Sequence, residues 1–228
     1  MANPTRLDTP RLQLRPLTAE DFEPFFARLV CDPVVMAFYH AYTQPLTEAK
    51  RRERAQRDFF DHFADGRARF GYVCWAVTTR AAVAGASGAP IAAGELLGWA
   101  GIVTPALADE ELGPELAYMV AAALHGRGLA TEAAGAVLAD AYPRYGLAAV
   151  HAVVDAPNGA SRRVLDKLGF ADRGRVQVYG SDDMILYTHA RDEAAAMRLA
   201  APSNDSLQLP NARNASTASI APTPRVRS

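Results

Sequence analysis

The sequence predicts a mixed α/β fold, with a central twisted sheet of about seven strands, partly antiparallel, and helices flanking it. Three observations carry this. Strand-like and helix-like segments follow in the order β, α, α, several strands, helix, strand, helix and two strands, a mixture typical of such sheets. The stretch from "PELAYMV" to "LAAVHAVVDA" reads as strand, glycine turn, helix and apolar strand, a βαβ unit. Half of the 228 residues are hydrophobic, enough for a sizeable core.

The elements follow in order. "RLQLRPL" alternates polar and apolar residues and reads as a first strand closed by Pro16. Thr18 is a good helix N-cap, and Asp21 three positions on imitates a capping box ahead of Phe22, Phe25, Phe26 and Leu29 at helical spacing. A second helix starts at Thr47. Its arginines 51, 52, 54 and 57 read either as a basic patch or, with the mixed charges around them, as a solvated face. "FGYVCWAVTT" and "LLGWAGIVT" are strands rich in β-branched and aromatic residues, joined by a long hairpin loop of small residues. "LAAVHAVVDA" is almost wholly apolar, as for a strand covered on both faces. Between it and "PELAYMV" lies a helix whose stripe runs from Leu129 to Tyr142 and which Pro143 is expected to stop. "NGASRRVLDKLGF" is a short helix ended by Gly169, and "RVQVYG" with "DMILYTH" makes a terminal hairpin. Beyond about residue 194 periodicity is lost, and residues 195–228 read as a disordered tail.

Composition excludes several classes. A net charge of −1 gives no general argument for nucleic acid or an anionic membrane. Cys31 and Cys74 are far apart, form no metal-ligand cluster and read as small core residues. No apolar run approaches the roughly 18 residues of a membrane span, and the opening residues lack a signal-peptide core. The expectation is a cytoplasmic protein without a metal, monomeric or homodimeric, that binds neither nucleic acid nor membrane.

The chemistry is concentrated in "LHGRGLATEAAGAVLADAY". Glycines beside a helix start suit an anion, because they admit a phosphate to backbone N–H groups that lack partners. The dinucleotide fingerprint G-x-G-x-x-G is not met, since G-R-G-L-A-T has no third glycine, and the Lys-Ser/Thr pair of a P-loop is missing. "HGRGLA" does resemble the acetyl-CoA motif of the GNAT acetyltransferase superfamily, Q/R-x-x-G-x-G/A, at Gly128 and Ala130, with His125 in place of the usual Gln or Arg. "ELAYMVAAALHGRGLATEA" and "DAPNGASRRVLDKLGF" look like motifs of the branch that acetylates ribosomal-protein N-termini, and "TPRLQLRPLTAEDFEPF" and "CDPVVMAFY" resemble its opening. The resemblance spans residues 9–191, expected to form one domain.

The resemblance implies an N-acetyltransferase that moves an acetyl group from acetyl-CoA to a primary amine, on a protein N-terminus or a small molecule. It implies a pyrophosphate on the loop of His125, Gly126, Arg127, Gly128, Leu129, Ala130 and Thr131. Two splayed parallel strands would take the pantetheine arm between them, on backbone groups of Met119 and Val120, with Asn158 contacting that arm or simply capping the next helix. Glu115 stands where this branch places a carboxylate base, or is a surface glutamate. Leu165 occupies the place of the tyrosine acid of many members; the branch this chain resembles offers Ser161 as the acid instead, a hydroxyl that could equally bond locally in the first helical turn, with Tyr118 as a second candidate. His151 reads as a structural residue. The competing function is a non-catalytic acyl-CoA-binding module.

Overall fold

The computed structural model describes residues 6–39, 42, 44–60, 71–85, 90–103, 113–179 and 181–191. In chain order they form β1 (Leu7–Asp8), β2 (Leu12–Pro16), α1 (Phe22–Phe25), α2 (Pro33–Met36), α3 (Glu48–Asp58), β3 (Cys74–Thr79), β4 (Val83–Ala84), β5 (Pro90–Ile91) and β6 (Leu96–Val103). There follow β7 (Glu115–Val120), α4 (Leu129–Tyr145), β8 (Ala149–Asp155), α5 (Gly159–Lys167), β9 (Ala171–Val178) and β10 (Ser181–Ala190). Eight strands make one mixed sheet in the order β1-β2-β3-β6-β7-β8-β10-β9, while β4 and β5 pair in a small ribbon of their own. Every pairing in the large sheet is antiparallel except β7 with β8.

Side chains that alternate along a strand feed two cores, one on each face of the sheet. On β3, Trp75 and Val77 join the core under α4, and Cys74 and Ala76 join the one under the first helices. The first core takes the expected stripe of α4: Leu129, Ala133, Ala134, Val137, Leu138, Ala141 and Tyr142. The second gathers Phe22, Phe25, Phe26 and Phe59, whose rings meet at centroid distances of 5.1 to 6.1 Å. The capping chemistry holds locally. Asp21 accepts from the Thr18 N–H at 2.8 Å, and Thr47 accepts from the Lys50 N–H at 3.3 Å.

Four expectations change. Pro143 does not stop α4, which runs on to Tyr145 and ends at Gly146 in the left-handed region, φ 65°. The proline removes one helical hydrogen bond near the end, and contacts on both sides of it hold the last turn. The Tyr142 hydroxyl donates to the His189 carbonyl, and the Tyr145 hydroxyl accepts from the Val73 N–H. β8 is not covered on both faces: Val150, Ala152 and Val154 are buried, but Ala149, His151 and Val153 are only half-buried. Val153 lines a cavity there. Cys31, at the end of the first helical segment, is exposed, and only Cys74 is a core thiol. The hairpin between β3 and β6 carries the β4–β5 ribbon; its residues 86–89 and the tail 195–228 lie outside the described residues.

Candidate active site

β7 and β8 share a single register pair, Glu115↔His151. There the His151 N–H donates to the Pro114 carbonyl at 2.9 Å. Backbone groups alternate in direction along a strand, so those of Tyr118 and Val120 also face β8, and those of Ala117 and Met119 face β6. The antiparallel register on the other side agrees, with Met119 opposite Trp99 and the Ala121 N–H donating to the Leu97 carbonyl at 2.8 Å. Beyond Glu115 the two parallel strands part, and a cavity of about 850 Å³ opens between them. Met119 lines it but spends its backbone groups on β6; Tyr118, not Met119, faces the gap beside Val120.

At the open end lies the glycine loop. Gly126 and Gly128 both adopt positive φ, 75° and 74°, which side chains resist. A Cβ on Gly126 would meet open space, so backbone conformation rather than crowding requires this glycine. Gly128 caps α4 without any side-chain hydrogen bond, leaving the first N–H groups of the helix to the cavity. Gly126, Gly128, Leu129, Ala130 and Thr131 all line it. Arg127 does not turn inward; its guanidinium donates to the Ala84 carbonyl at 2.9 Å. His125 Nε2 lies 2.8 Å from the Val120 carbonyl, so that nitrogen carries the hydrogen and occupies this acceptor.

At the closed end Glu115 is 7% exposed. Burial pushes its carboxyl pKa up to about 7, against the pull of hydrogen bonds from the Tyr179 hydroxyl and the Val153 N–H, which favour the charged form. The Tyr179 contact is 2.5 Å. Tyr179, between β9 and β10, is the one non-glycine residue at positive φ among those described, at 54°. A bulky side chain held there is a local strain of the kind found at functional sites. On the opposite wall the Tyr118 hydroxyl lies 2.9 Å from Ser161 Oγ and donates to the Ser161 carbonyl at 3.2 Å. Burial raises the Tyr118 phenol to about 12. Asn158 caps α5 by accepting from the Ser161 N–H at 3.1 Å, and it lines the cavity as well.

Residues 11–171 match the family model of the acetyltransferase (GNAT) domain. The chain belongs to the GNAT acetyltransferase family. It is 28% identical over 165 residues to the uncharacterized protein YkkB of Bacillus subtilis, a match covering 72% of this chain and 84% of that one. An acetyltransferase from Agrobacterium tumefaciens has the same fold, with a TM-score of 0.63 at 22% identity over 84% of this chain and 96% of its own. So does a Vibrio cholerae protein named as a candidate ribosomal-protein-serine acetyltransferase, with a TM-score of 0.56 at 17% identity over 83% and 99% of the two chains.

In this GNAT chain the cavity brings together Glu115, Ser161, Asn158, Val120 and the glycine loop, and leaves the Arg127 side chain outside. Sequence reasoning missed Tyr179, whose link to Glu115 spans 64 positions and leaves no local pattern. It also missed Arg163 and Lys167, which line the cavity on α5. Two cations four apart on a helix were the available signal. Glu132 was missed too. In the first turn of α4 it accepts from Thr9, from the Arg11 N–H and from the Arg11 guanidinium, pinning the loop to the N-terminal strand. Among the described residues no helix is long and apolar enough to cross a membrane.

Proposed function

We propose that this protein is an N-acetyltransferase that takes its acetyl group from acetyl-CoA and passes it to a primary amine. The observation that carries the reading is the parted β7–β8 pair, with a buried carboxyl at its closed end and a glycine-started helix at its open end. The residues present fit that cosubstrate. Pantetheine is an extended chain with amide groups, and the backbone of Tyr118 and the N–H of Val120 face the gap as a strand edge would. Asn158 stands beside them. A pyrophosphate suits the amides of residues 126–131, with Arg163 and Lys167 adding positive charge. Acetyl-CoA, when bound, supplies the acetyl group as a thioester.

Glu115 takes the proton from the attacking nitrogen. A carboxyl with a pKa near 7 is matched to neutral pH: half of it is ionised, and it is basic enough to accept. The Val153 N–H and the Tyr179 hydroxyl hold the carboxylate in place. Ser161 Oγ, backed by the Tyr118 hydroxyl, gives a proton to the departing sulfur. Tyr118 stays protonated throughout, because its own pKa is high. The acceptor is an amine of a protein N-terminus or of a small molecule.

Thermal melts and a thiol-release assay test this reading. Acetyl-CoA at about 100 times its Kd should stabilise the fold by about 2.7 kcal/mol, and thiol should appear with an amine present. No melting shift at millimolar acetyl-CoA would overturn it. A shift without thiol release across a broad amine panel would leave a binding module in its place.

A further inference from the structure

Three large hydrophobic side chains are exposed among the described residues: Val34 at 60%, Phe38 at 41% and Tyr179 at 39%. Random placement would scatter them, yet all three line the cavity between β7 and β8. Val34 and Phe38 come from α2 and the turn after it. Asp32 caps α2 by accepting from the Val34 N–H at 2.8 Å, and this fixes the start of the segment. Tyr39 and Val35 lie behind them, packed partly into the core of the first helices. Tyr179 lines the same cavity, in its strained left-handed conformation, with its hydroxyl on Glu115. The cations that line the cavity, Arg163 and Lys167, stand on α5.

This end therefore has a buried carboxyl as its floor and an apolar, largely aromatic rim. From this we infer that the acceptor is a primary amine carried on an aromatic or branched apolar body, whose ammonium reaches Glu115 while its body packs against Val34, Phe38 and the ring of Tyr179. The inference rests on the acetyltransferase reading and names its substrate class. An amine on a polar or thin body would leave that rim in water and gain nothing from it. Aromatic rings also favour a cation nearby, so the rim serves both parts of such a molecule. Asp58, which accepts from the Tyr42 hydroxyl at 2.8 Å, adds a second carboxyl at this end and makes a dication the competing occupant. The exposed apolar rim decides for the apolar body, because only such a body takes all of it, Val34 included, out of water. The same chemistry is presented by a small arylalkylamine and by a peptide that begins with phenylalanine.

Calorimetric titration of the CoA-saturated protein tests this without relying on turnover. The probes are 2-phenylethylamine, a tripeptide beginning with phenylalanine, the same tripeptide beginning with glycine, ethanolamine and putrescine. At least one aromatic amine should bind ten times more tightly than its polar counterpart, and whichever does so identifies the source. Phe38→Ser should remove most of that preference and leave the Kd for CoA unchanged; a melting curve checks that this exposed position tolerates the change. Equal affinities for the aromatic and polar partners would overturn the proposal, as would tighter binding of putrescine than of both aromatic amines. If CoA itself fails to bind, the acetyltransferase reading falls on its own. The same titration without CoA then still decides the amine preference.

Discussion

The two ends of the cavity are built from different materials. The end at the glycine loop is mostly main chain: the gap-facing groups of Tyr118 and Val120, two glycines at positive φ and the bare start of α4. The end at Glu115 is made of side chains gathered from distant segments: Glu115 on β7, Tyr179 between β9 and β10, Val34, Phe38 and Tyr39 near α2, and Asp58 on α3. Backbone groups are the same whatever the residue, so the first end can stay constant while the second is rewritten residue by residue. The division teaches where specificity can reside in such a molecule. On the proposed function, the cosubstrate would be held largely by backbone geometry, with Asn158, Arg163 and Lys167 as its side-chain additions, and the amine by chemistry that any substitution alters.

The comparison breaks most visibly at Glu115. Glu115→Gln should lower turnover by about 10²- to 10⁴-fold. Acetyl-CoA affinity, set by the other end, should stay the same, as calorimetry would show. In the parent, kcat/KM should rise with pH through about 7, as the raised carboxyl gives up its proton. The same shift acts on stability. A pKa held above its unfolded value means that the folded state binds the extra proton. The contribution of Glu115 to stability is thus greatest at acid pH and is lost as pH climbs from the ordinary carboxylate range through about 7. Melting temperatures of parent and Glu115→Gln, compared between pH 4 and 8, should converge toward the acid side.

Gly128→Val attacks the other end. A β-branched residue at φ 74° carries a strain of order 1–3 kcal/mol, which would shift the turn that presents the amides of α4. Acetyl-CoA affinity should fall by about tenfold to a hundredfold, while the pH at which Glu115 titrates stays put. Affinity equal to the parent in a folded variant would show that the amides are not the anchor.

Tyr179→Phe is a finer cut. It removes one hydrogen bond to the ionised form of Glu115, so the acid limb of kcat/KM should move upward by about one pH unit, given about 1.5 kcal/mol for a bond to a charged group. A limb that does not move would make Tyr179 a wall of the cavity and nothing more. Smallest is Asn158→Ala. Loss of this cap should cost about 1 kcal/mol and about 2–4 °C of melting temperature.

Legibility in the sequence followed the same division. Strands, caps and the stripe of α4 were readable, because each is written in neighbouring residues: Thr18 with Asp21, Thr47, and Ala133 with Val137. The glycine loop was readable for the same reason. Pro143 misled because tertiary contacts of Tyr142 and Tyr145 outweigh a local breaker. β8 misled because apolar composition shows that a strand can be covered, while its neighbours in the fold decide whether it is, and Val153 lines a cavity. Met119 misled because its place in the motif says nothing of which neighbour its backbone faces; that parity appears only once β6 is known to lie beside it. Tyr179 and Asp58 were invisible because nothing near them in sequence hints at Glu115.

The parted strands also divide the sheet into two blocks, one from β1 to β7 and the other from β8 to β10, stitched at Glu115↔His151. Amide hydrogen exchange reads such a seam directly. The N–H groups of Ala117 and Met119 are locked into β6 and should exchange slowly, while those of Tyr118 and Val120, one residue away on the same strand, should exchange fast. This sawtooth along six residues would flatten once an extended molecule filled the seam, and the two blocks would then open and close as one.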